Sequence, residues 1–401
     1  MPFEWLVALR FLREGRIQTF LILTGVGVGT SVIVFLSALI NGLQTSIIQR
    51  TLGTQAHVVI RPQEEMPQVL DTLADAHVER PAQRIRSIVG WQQTIRIVDG
   101  IPGVIATAPA IAGPAFALRS RGSSSIALRG FDPESYFRIV DLEKFIVAGD
   151  FRLRGFEAVI GTELGKDLGV GVGDKIRVQA AGGRTSILQV AGIIDAGNKD
   201  LNQRGVFVSL RQAQTLLGLE GGVSTIEVRV DDFFGATRIA DQISQRTGLI
   251  ADSWMTSNAQ LMIGLRSQSS SSIMIQVFVI LAVALGIASV LAVSVVQKSR
   301  EIGIMRAVGT RASQVLRIFL YQGMVVGLIG SIGGVLTGIG LSLFFAALAK
   351  NPDGSATFPV DLNWMLYLRA AGTSTLVGLA AAMIPARRAA RLDPAEVIRY
   401  G

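Results

Sequence analysis

The chain has 401 residues, 49% of them hydrophobic and only 17% charged, with a mean hydropathy of +0.46, which is more apolar surface than a water-soluble domain can bury. It contains no cysteine, which excludes disulfides, thiol catalysis and thiolate metal sites, and its only imidazoles are His57 and His77. The net charge of +8 is concentrated: residues 1–19, 297–317 and 385–401 carry 12 Lys+Arg against 5 Asp+Glu, so the rest is balanced and offers no basic face for nucleic acid.

Residues 1–18 open the chain with FEWLVALRFLREGRI, which places Arg10, Arg13 and Glu14 on one helical face and Trp5, Leu6, Leu9 and Leu12 on the other. This reads as an interfacial helix on the cytoplasmic side. The apolar run that follows is too long for a signal-peptide core and lacks a small-x-small cleavage site, so it is expected to stay as an anchor. No charge lies between Arg16 and Arg50, and the first membrane span is placed at 19–43. Its GVGVG (Gly25, Gly27, Gly29) does not complete a dinucleotide fingerprint and points to close helix packing.

From 44 to 271 the signals change to short β-type runs, HVVIRP, SSIALRGF, EAVIGTEL, DKIRVQAAGGRTSILQVAGII, GVFVSL and STIEVRV. Helical patterns interrupt them at WQQTIRIVDGI, LRQAQTLLGL and FFGATRIADQISQRTG. The spacing predicts a large α+β domain of two subdomains, with AAGGRTS as a hairpin turn. Residues 62–86, rich in Pro, Gln and charge, read as a loop or weakly ordered insertion. The acidic neighbours Asp231 with Asp232, and Asp132 with Glu134, lack a third ligand or a partner base and read as loop carboxylates. His57 and His77 default to structural or surface roles.

Charge-free stretches between Arg266 and Lys298 and between Arg317 and Lys350 place spans at 272–296 and 318–349, and the shorter gap from Arg369 to Arg387 places the last at 364–384. Ser269 to Ser272 form a flexible lead-in to the second span. Gly323, Gly327, Gly330, Gly334 and Gly338 give the third span GxxxG spacings for close helix approach. An external loop covers 350–363, and Pro385 stops the fourth span ahead of the basic tail 385–401. The fold class is therefore an α-helical membrane protein of four spans, with a large extracytoplasmic α+β domain between the first two. Excess cations at both termini and in 297–317 put those segments in the cytoplasm. No span holds an acid or base near its centre, against a proton-coupled transporter or ion channel.

The segment 297–317 has Ile302, Met305 and Val308 near one helical face, flanked by Arg300, Glu301, Arg306 and Arg311, with a turn at Gly309. From these residues alone, docking into a partner's groove and lying on the membrane surface are evenly matched. REIGIMRAVG here, with PARRAARLDPAEVIRYG after the fourth span, resembles the permease family of ABC transporters that includes the MacB-type, FtsX-type and Lol-type permeases. NGLQTSIIQRTLGTQAHVVIRP, RGFDPESYFRIV, VFVSLRQAQTLLGL and DSWMTSNAQLM are similar to the Lol-type branch.

The resemblance implies a permease subunit that is not itself an enzyme and binds no cofactor. ATP and Mg2+ belong to a separate cytoplasmic ABC ATPase dimer, in keeping with the lack of a GxxxxGK[ST] loop in the chain. It also implies a second permease copy or paralogue, and mechanotransmission in place of a channel. Arg300, Glu301, Ile302, Met305, Arg306, Val308 and Gly309 would form the ATPase-coupling helix. Lipoprotein or lipid-linked cargo extraction, with a periplasmic lipoprotein carrier, is the leading function. A MacB-like exporter with a membrane-fusion adaptor and an FtsX-like signalling scaffold are the alternatives. Ile33, Phe35, Leu36, Leu39, Ile275 and Phe278 are the candidate cargo cavity, with lipid contact as the competing role for each. The expected location is the bacterial inner membrane.

Overall fold

The computed structural model describes residues 3–63, 86–119, 122–348, 360 and 363–392. Most of the 62–86 insertion, His77, most of the 350–363 loop and residues 393–401 of the tail lie outside the described residues. In chain order the helices and strands are α1 (Phe3–Glu14), α2 (Arg16–Leu52), β1 (Val58–Arg61), α3 (Trp91–Asp99), β2 (Val104–Arg119), β3 (Gly122–Phe131), α4 (Pro133–Tyr136), β4 (Ile146–Gly149), β5 (Glu157–Gly161), α5 (Thr162–Leu168), β6 (Lys175–Ala180) and β7 (Thr185–Ile194). They continue with α6 (Lys199–Arg204), β8 (Gly205–Ser209), α7 (Leu210–Leu217), β9 (Thr225–Val230), α8 (Ala236–Thr247), β10 (Ile250–Ser253), α9 (Trp254–Ser257), α10 (Ala259–Gln297), α11 (Ser299–Ala307), α12 (Ala312–Leu348) and α13 (Trp364–Ala390). Two compact units result: Gln49–Met262, and the helices on either side of it in the chain.

The middle unit is an α+β structure organised by β2. Along its first half β2 pairs with β9, and the order β10-β1-β9-β2 makes an antiparallel layer. Along its second half it pairs with β3 and β6, and the pairings β2-β3-β8-β5-β7-β6 return to β2 and close a ring. One strand thus serves both the antiparallel layer and the ring of a single ten-stranded sheet. Its length is hidden in the sequence by Pro109 and Pro114, which remove ladder donors, yet Pro109 stands opposite Ile226 and Pro114 opposite Ala127. The AAGGRTS hairpin forms as expected between β6 and β7, with Gly183 at φ +80°. EAVIGTEL divides: EAVIG is strand β5, while Thr162 begins α5.

The core of this unit is aromatic. Phe131 stacks on Tyr136 at 3.9 Å, and Phe151 and Phe207 lie 6.3 and 6.1 Å from Phe131. Against that stack sits a buried polar cluster in which the Tyr136 hydroxyl donates to Glu227 Oε2 at 2.9 Å and Arg129 Nη2 pairs with Glu227 Oε1 at 3.4 Å. Burial first, and the neighbouring Glu227 carboxylate second, push the Tyr136 phenol far above its ordinary range. Three of the acidic residues singled out in the sequence work locally: Asp132 caps α4 by accepting from Ser135 N, Asp231 accepts from Asp232 N, and Asp232 accepts from Phe234 N. His57 starts β1 with Nδ1 3.1 Å from Val230 O, a structural role.

The helical unit is built around α12. Apolar helices gain no hydrophobic drive from meeting one another in lipid, so close backbone approach has to supply the contact. A Cβ added at Gly334 would lie 2.5 Å from Gly27 O, and one at Gly330 2.7 Å from Val26 Cβ, so this face of α12 takes α2. One added at Gly323 would lie 2.5 Å from Gly378 O, and one added at Gly327 3.0 Å from Thr375 Cα, so a second face takes α13. Thr30 and Ser374 share a buried hydrogen bond of 2.8 Å that joins α2 to α13 directly.

Two expectations are corrected. Ser269 to Ser272 are not a flexible lead-in but part of α10. Gln44 Nε2 of α2 donates to Ser269 Oγ at 2.9 Å, and Gln276 Nε2 donates to Ser37 Oγ of α2 at 3.1 Å and to Ser272 Oγ of its own helix at 3.3 Å, so Ser269 and Gln276 supply polar glue between two long helices. Pro385 does not stop the last helix, which runs to Ala390. The proline costs a backbone bond to residue 381, but it is buried, and Ala386 and Ala389 beyond it pack with Val315, Ile318 and Phe319 of α12.

Replacing Gly334 by Val should lower the unfolding temperature of the full chain in detergent, since overpacking of this kind costs about 1–3 kcal/mol. Gly340→Ala, whose Cβ meets nothing within 4 Å, should leave it unchanged, and equal melting of the two would mean that the glycine seam does not hold α2. Glu227→Ala should destabilise the middle unit by about 3 kcal/mol, because it strands the buried Arg129 and Tyr136 partners. Loss of Tyr and Trp near-ultraviolet dichroism on heating would report it.

Candidate functional site

The turn between α10 and α12 carries the candidate site. Lys298 is the one residue between α10 and α11, and its backbone (φ −97°, ψ 9°) breaks the helix there. Gly309 ends the segment at φ +107°, a conformation that favours glycine, and Thr310 N donates back to Met305 O at 3.1 Å. Arg311 N then donates to Gln314 Oε1 at 2.9 Å as α12 starts. The result is a short helix held between two turns.

The helix has an inner and an outer row, and they are not the rows the apolar stripe implies. Ile302 is fully buried among Phe11, Val315 and Phe319, and Met305 is half-buried against the same cluster. Arg306 is half-buried, and its Nη1 donates to Leu392 O, a cation at the carboxyl end of α13. These three residues serve the chain's own packing. Arg300, Glu301, Val308 and Gly309 are exposed, and Ile304, absent from the stripe, joins them at 50% exposure while Val308 reaches 85%. Arg300, Ile304 and Val308 follow one another at four-residue spacing, so the outward crest is apolar with a cationic end. REIGIMRAVG contains two interleaved apolar rows, and periodicity alone cannot choose the one that packs inward.

The base of this segment is an ionic network. Lys298 Nζ donates to Glu14 Oε2 at 2.7 Å and Glu301 Oε1 at 2.6 Å, and Arg10 Nε donates to Glu14 Oε1 at 2.8 Å. Lys298, and after it Arg10, hold the Glu14 carboxyl down at about 2. Such a depressed carboxyl keeps its contribution at all pH above the ordinary carboxylate range and loses it only as pH falls through about 2.

The six candidate cavity residues are not gathered at one place. Ile33 is buried beside Val34 and Ala370, Phe35 lies edge-on to Phe345 of α12 at 5.8 Å, Leu36 and Leu39 are half-buried, and Ile275 and Phe278 are exposed on α10. An apolar groove of about 360 Å³ does lie between α2 and α10, lined among others by Gly25, Val28, Gly29, Val279, Val283 and Gly286. A Cβ added at Gly25 or Gly286 would meet nothing within 4 Å, so these glycines leave space there instead of closing it. Gly25 stood in GVGVG, where its signal was shared with helix packing, which uses Gly27.

Residues 19–246 match the MacB-like periplasmic core domain and residues 273–394 match the FtsX-like permease C-terminal domain. The chain belongs to the MacB/FtsX/Lol family of ABC transporter permeases. It is 24% identical over 433 residues to the lipoprotein-releasing system transmembrane protein LolC of Xylella fastidiosa strain Temecula1, covering 100% of this chain and 99% of that one. LolC of Haemophilus influenzae is 25% identical over the same shares of each chain. The macrolide export ATP-binding/permease protein MacB 2 of Aeromonas hydrophila is 24% identical across 98% of this chain but 60% of its own length. Among solved structures, the periplasmic region of MacB from Actinobacillus actinomycetemcomitans is 12% identical, with a TM-score of 0.35 over 54% of this chain and 95% of that one. In this permease family member, the FtsX-like match contains α11 and both of its flanking turns.

Ile302→Ala should destabilise the full chain in detergent by about 2–4 kcal/mol, the cost of deleting a fully buried aliphatic side chain. Val308→Asp should melt like the wild type. The reverse order of stabilities would invert the two rows of α11.

Proposed function

We propose that the chain is the permease subunit of a lipoprotein-releasing ABC transporter, one that turns ATP hydrolysis by a separate ATPase into motion that extracts lipoprotein or lipid-linked cargo from the inner membrane. The observation that carries this reading is end-to-end collinearity with LolC, which this chain matches over 99% of that protein's length. The MacB relative, named for an ATP-binding part as well as a permease, is matched over 60%. The MacB-like match over 19–246 favours a second reading, an export permease working with an adaptor and outer channel.

In the proposed arrangement both termini and α11 face the cytoplasm, in accord with the cationic excess of those segments, and the α+β domain that follows the first span lies in the periplasm. The ATPase dimer, which holds ATP and Mg2+, receives the exposed crest of Arg300, Ile304 and Val308. Force entering α11 passes through Lys298 into α10 and, by the serine and glutamine contacts, to α2. A second permease copy or paralogue covers α10, of whose most apolar stretch only 17% is buried, against 39% for α2 and α12. The groove between α2 and α10 is uncharged and of a size that suits an acyl chain.

Purification of the tagged full chain from its native membrane in mild detergent should recover an ABC ATPase together with lipoproteins or a soluble periplasmic carrier. Recovery with a membrane-fusion adaptor would favour the exporter, and repeated recovery without any ATPase would overturn both readings. Val308→Asp with Ile304→Asp should cut the recovered ATPase by about tenfold or more, the scale on which apolar anchors contribute to interfaces. Undiminished recovery would remove the crest from the docking surface.

A further inference from the structure

Docking on α11 transmits force only when the base of α11 does not yield, and the structure holds that base from both sides with one helix. At its amino end α1 buries Glu4, whose Oε1 lies 4.0 Å from Arg317 Nη1, and sets Trp5 edge-on to Tyr321 at 5.5 Å. In its last turns Phe11 lies 6.4 Å from Phe319, and Glu14 takes its hydrogen bond from Lys298. Arg317, Phe319 and Tyr321 belong to the start of α12, while Lys298 is the junction of α10 and α11. Both legs of the cytoplasmic turn are therefore tied to α1.

Lys298 fits this junction for several reasons at once. Its charge sits at the carboxyl end of α10, where a cation is favoured, and it meets Glu301 in the first turn of α11, where an anion is favoured. The ammonium also stands 5.5 Å from the centre of the Phe11 ring. An isolated exposed ion pair contributes little, but Lys298 is only 20% exposed and is shared by two carboxylates and a ring. Gln18 and Gln297 add a hydrogen bond of 2.5 Å beside it.

We propose that α1 is a strut across the base of the coupling segment and that Lys298 is its positioning residue, fixing the angle between α10 and α11 so that movement of α11 drives α10. This deepens the permease reading and rests on it for the source of force. The strut itself is a property of this chain alone.

The test uses the full chain in lipid nanodiscs, alone and with the ATPase that co-purifies with it, as wild type, Lys298→Gln and Lys298→Arg. In the chain alone, amide hydrogen exchange across 299–307 should accelerate at least fivefold in Lys298→Gln and stay near wild type in Lys298→Arg. With the ATPase bound in equal amount, the permease-dependent stimulation of ATP turnover should fall at least about fivefold in Lys298→Gln, the lower end of usual coupling energies, and recover in Lys298→Arg. Because the chain has no cysteine, Glu14→Cys with Lys298→Cys can be bridged by a reducible bis-thiosulfonate before the ATPase is added. The bridged form should couple and the reduced form should not. Unchanged exchange in Lys298→Gln, or a bridged form that is the uncoupled one, would overturn the strut. Absence of stimulation in the wild type would instead count against the permease reading, with the exchange arm still deciding the strut.

Discussion

Everything in the helical unit depends on how closely α12 lets other backbones approach. Lipid gives apolar helices no reason to associate through their side chains, so contact has to come from backbone proximity and from the few polar groups within reach. Gly330, Gly334 and Gly338 meet Val26, Gly27 and Val34 on α2, while Gly323 and Gly327 meet Gly378 and Thr375 on α13. The glycines change face along the helix, so one helix organises two neighbours at different depths. Conformational freedom is not what the glycines supply here, since all of these are helical. What they supply is the absence of a Cβ.

That arrangement leaves α10 as the exception. It shares the serine and glutamine contacts with α2, and Val283 presses on Gly29, where an added Cβ would lie only 2.3 Å from it, yet its apolar surface is the least covered of the four long helices. Polar side-chain bonds of this kind hold helices together with modest strength and can be exchanged, whereas backbone packing on glycine tolerates little change. The unit therefore divides into a firmly packed set, α2, α12 and α13, and a more loosely held α10. The proposed mechanism, in which helices move without opening a channel, would need such a division, with a mover and a frame.

Much of this was legible in the sequence, and the reasons for the remainder are physical. Charge-free runs mark the apolar helices because every charge in hydrocarbon is costly, and GxxxG on α12 marks close packing because little else explains glycine at that spacing. The signals failed where one pattern serves two structures. A serine run reads as flexible from composition, but inside a helix the same hydroxyls and Gln276 form an interhelical ladder. Pro385 reads as a terminator, but alanines on the buried face keep the helix packed on through it. The longest strand of the α+β unit, Val104–Arg119, was not singled out in the sequence, since it carries Pro109 and Pro114 and its pairing partners change along its length. REIGIMRAVG read as a helical face ending in a turn at Gly309, without the break at Lys298, and which apolar row faces outward depends on Phe11 and Phe319, residues distant in sequence.

The position of Lys298 brings these threads together. The residue after an uninterrupted apolar helix is where the chain first returns to water, and a cation there is expected on electrostatic grounds alone. An unpartnered lysine in that place would swivel, and the angle between α10 and α11 would be free. Glu14 removes that freedom from outside the hairpin, and its own second bond to Arg10 keeps it ionised and oriented. Since α1 is also seated on α12 through Trp5 and Phe11, the loosely held α10 is tied to the frame at its carboxyl-terminal end and by the side-chain ladder farther along. A helix fixed at such a pivot and with most of its apolar surface uncovered converts a push on α11 into tilt, and tilt needs no residue within the span to change its hydrogen bonding.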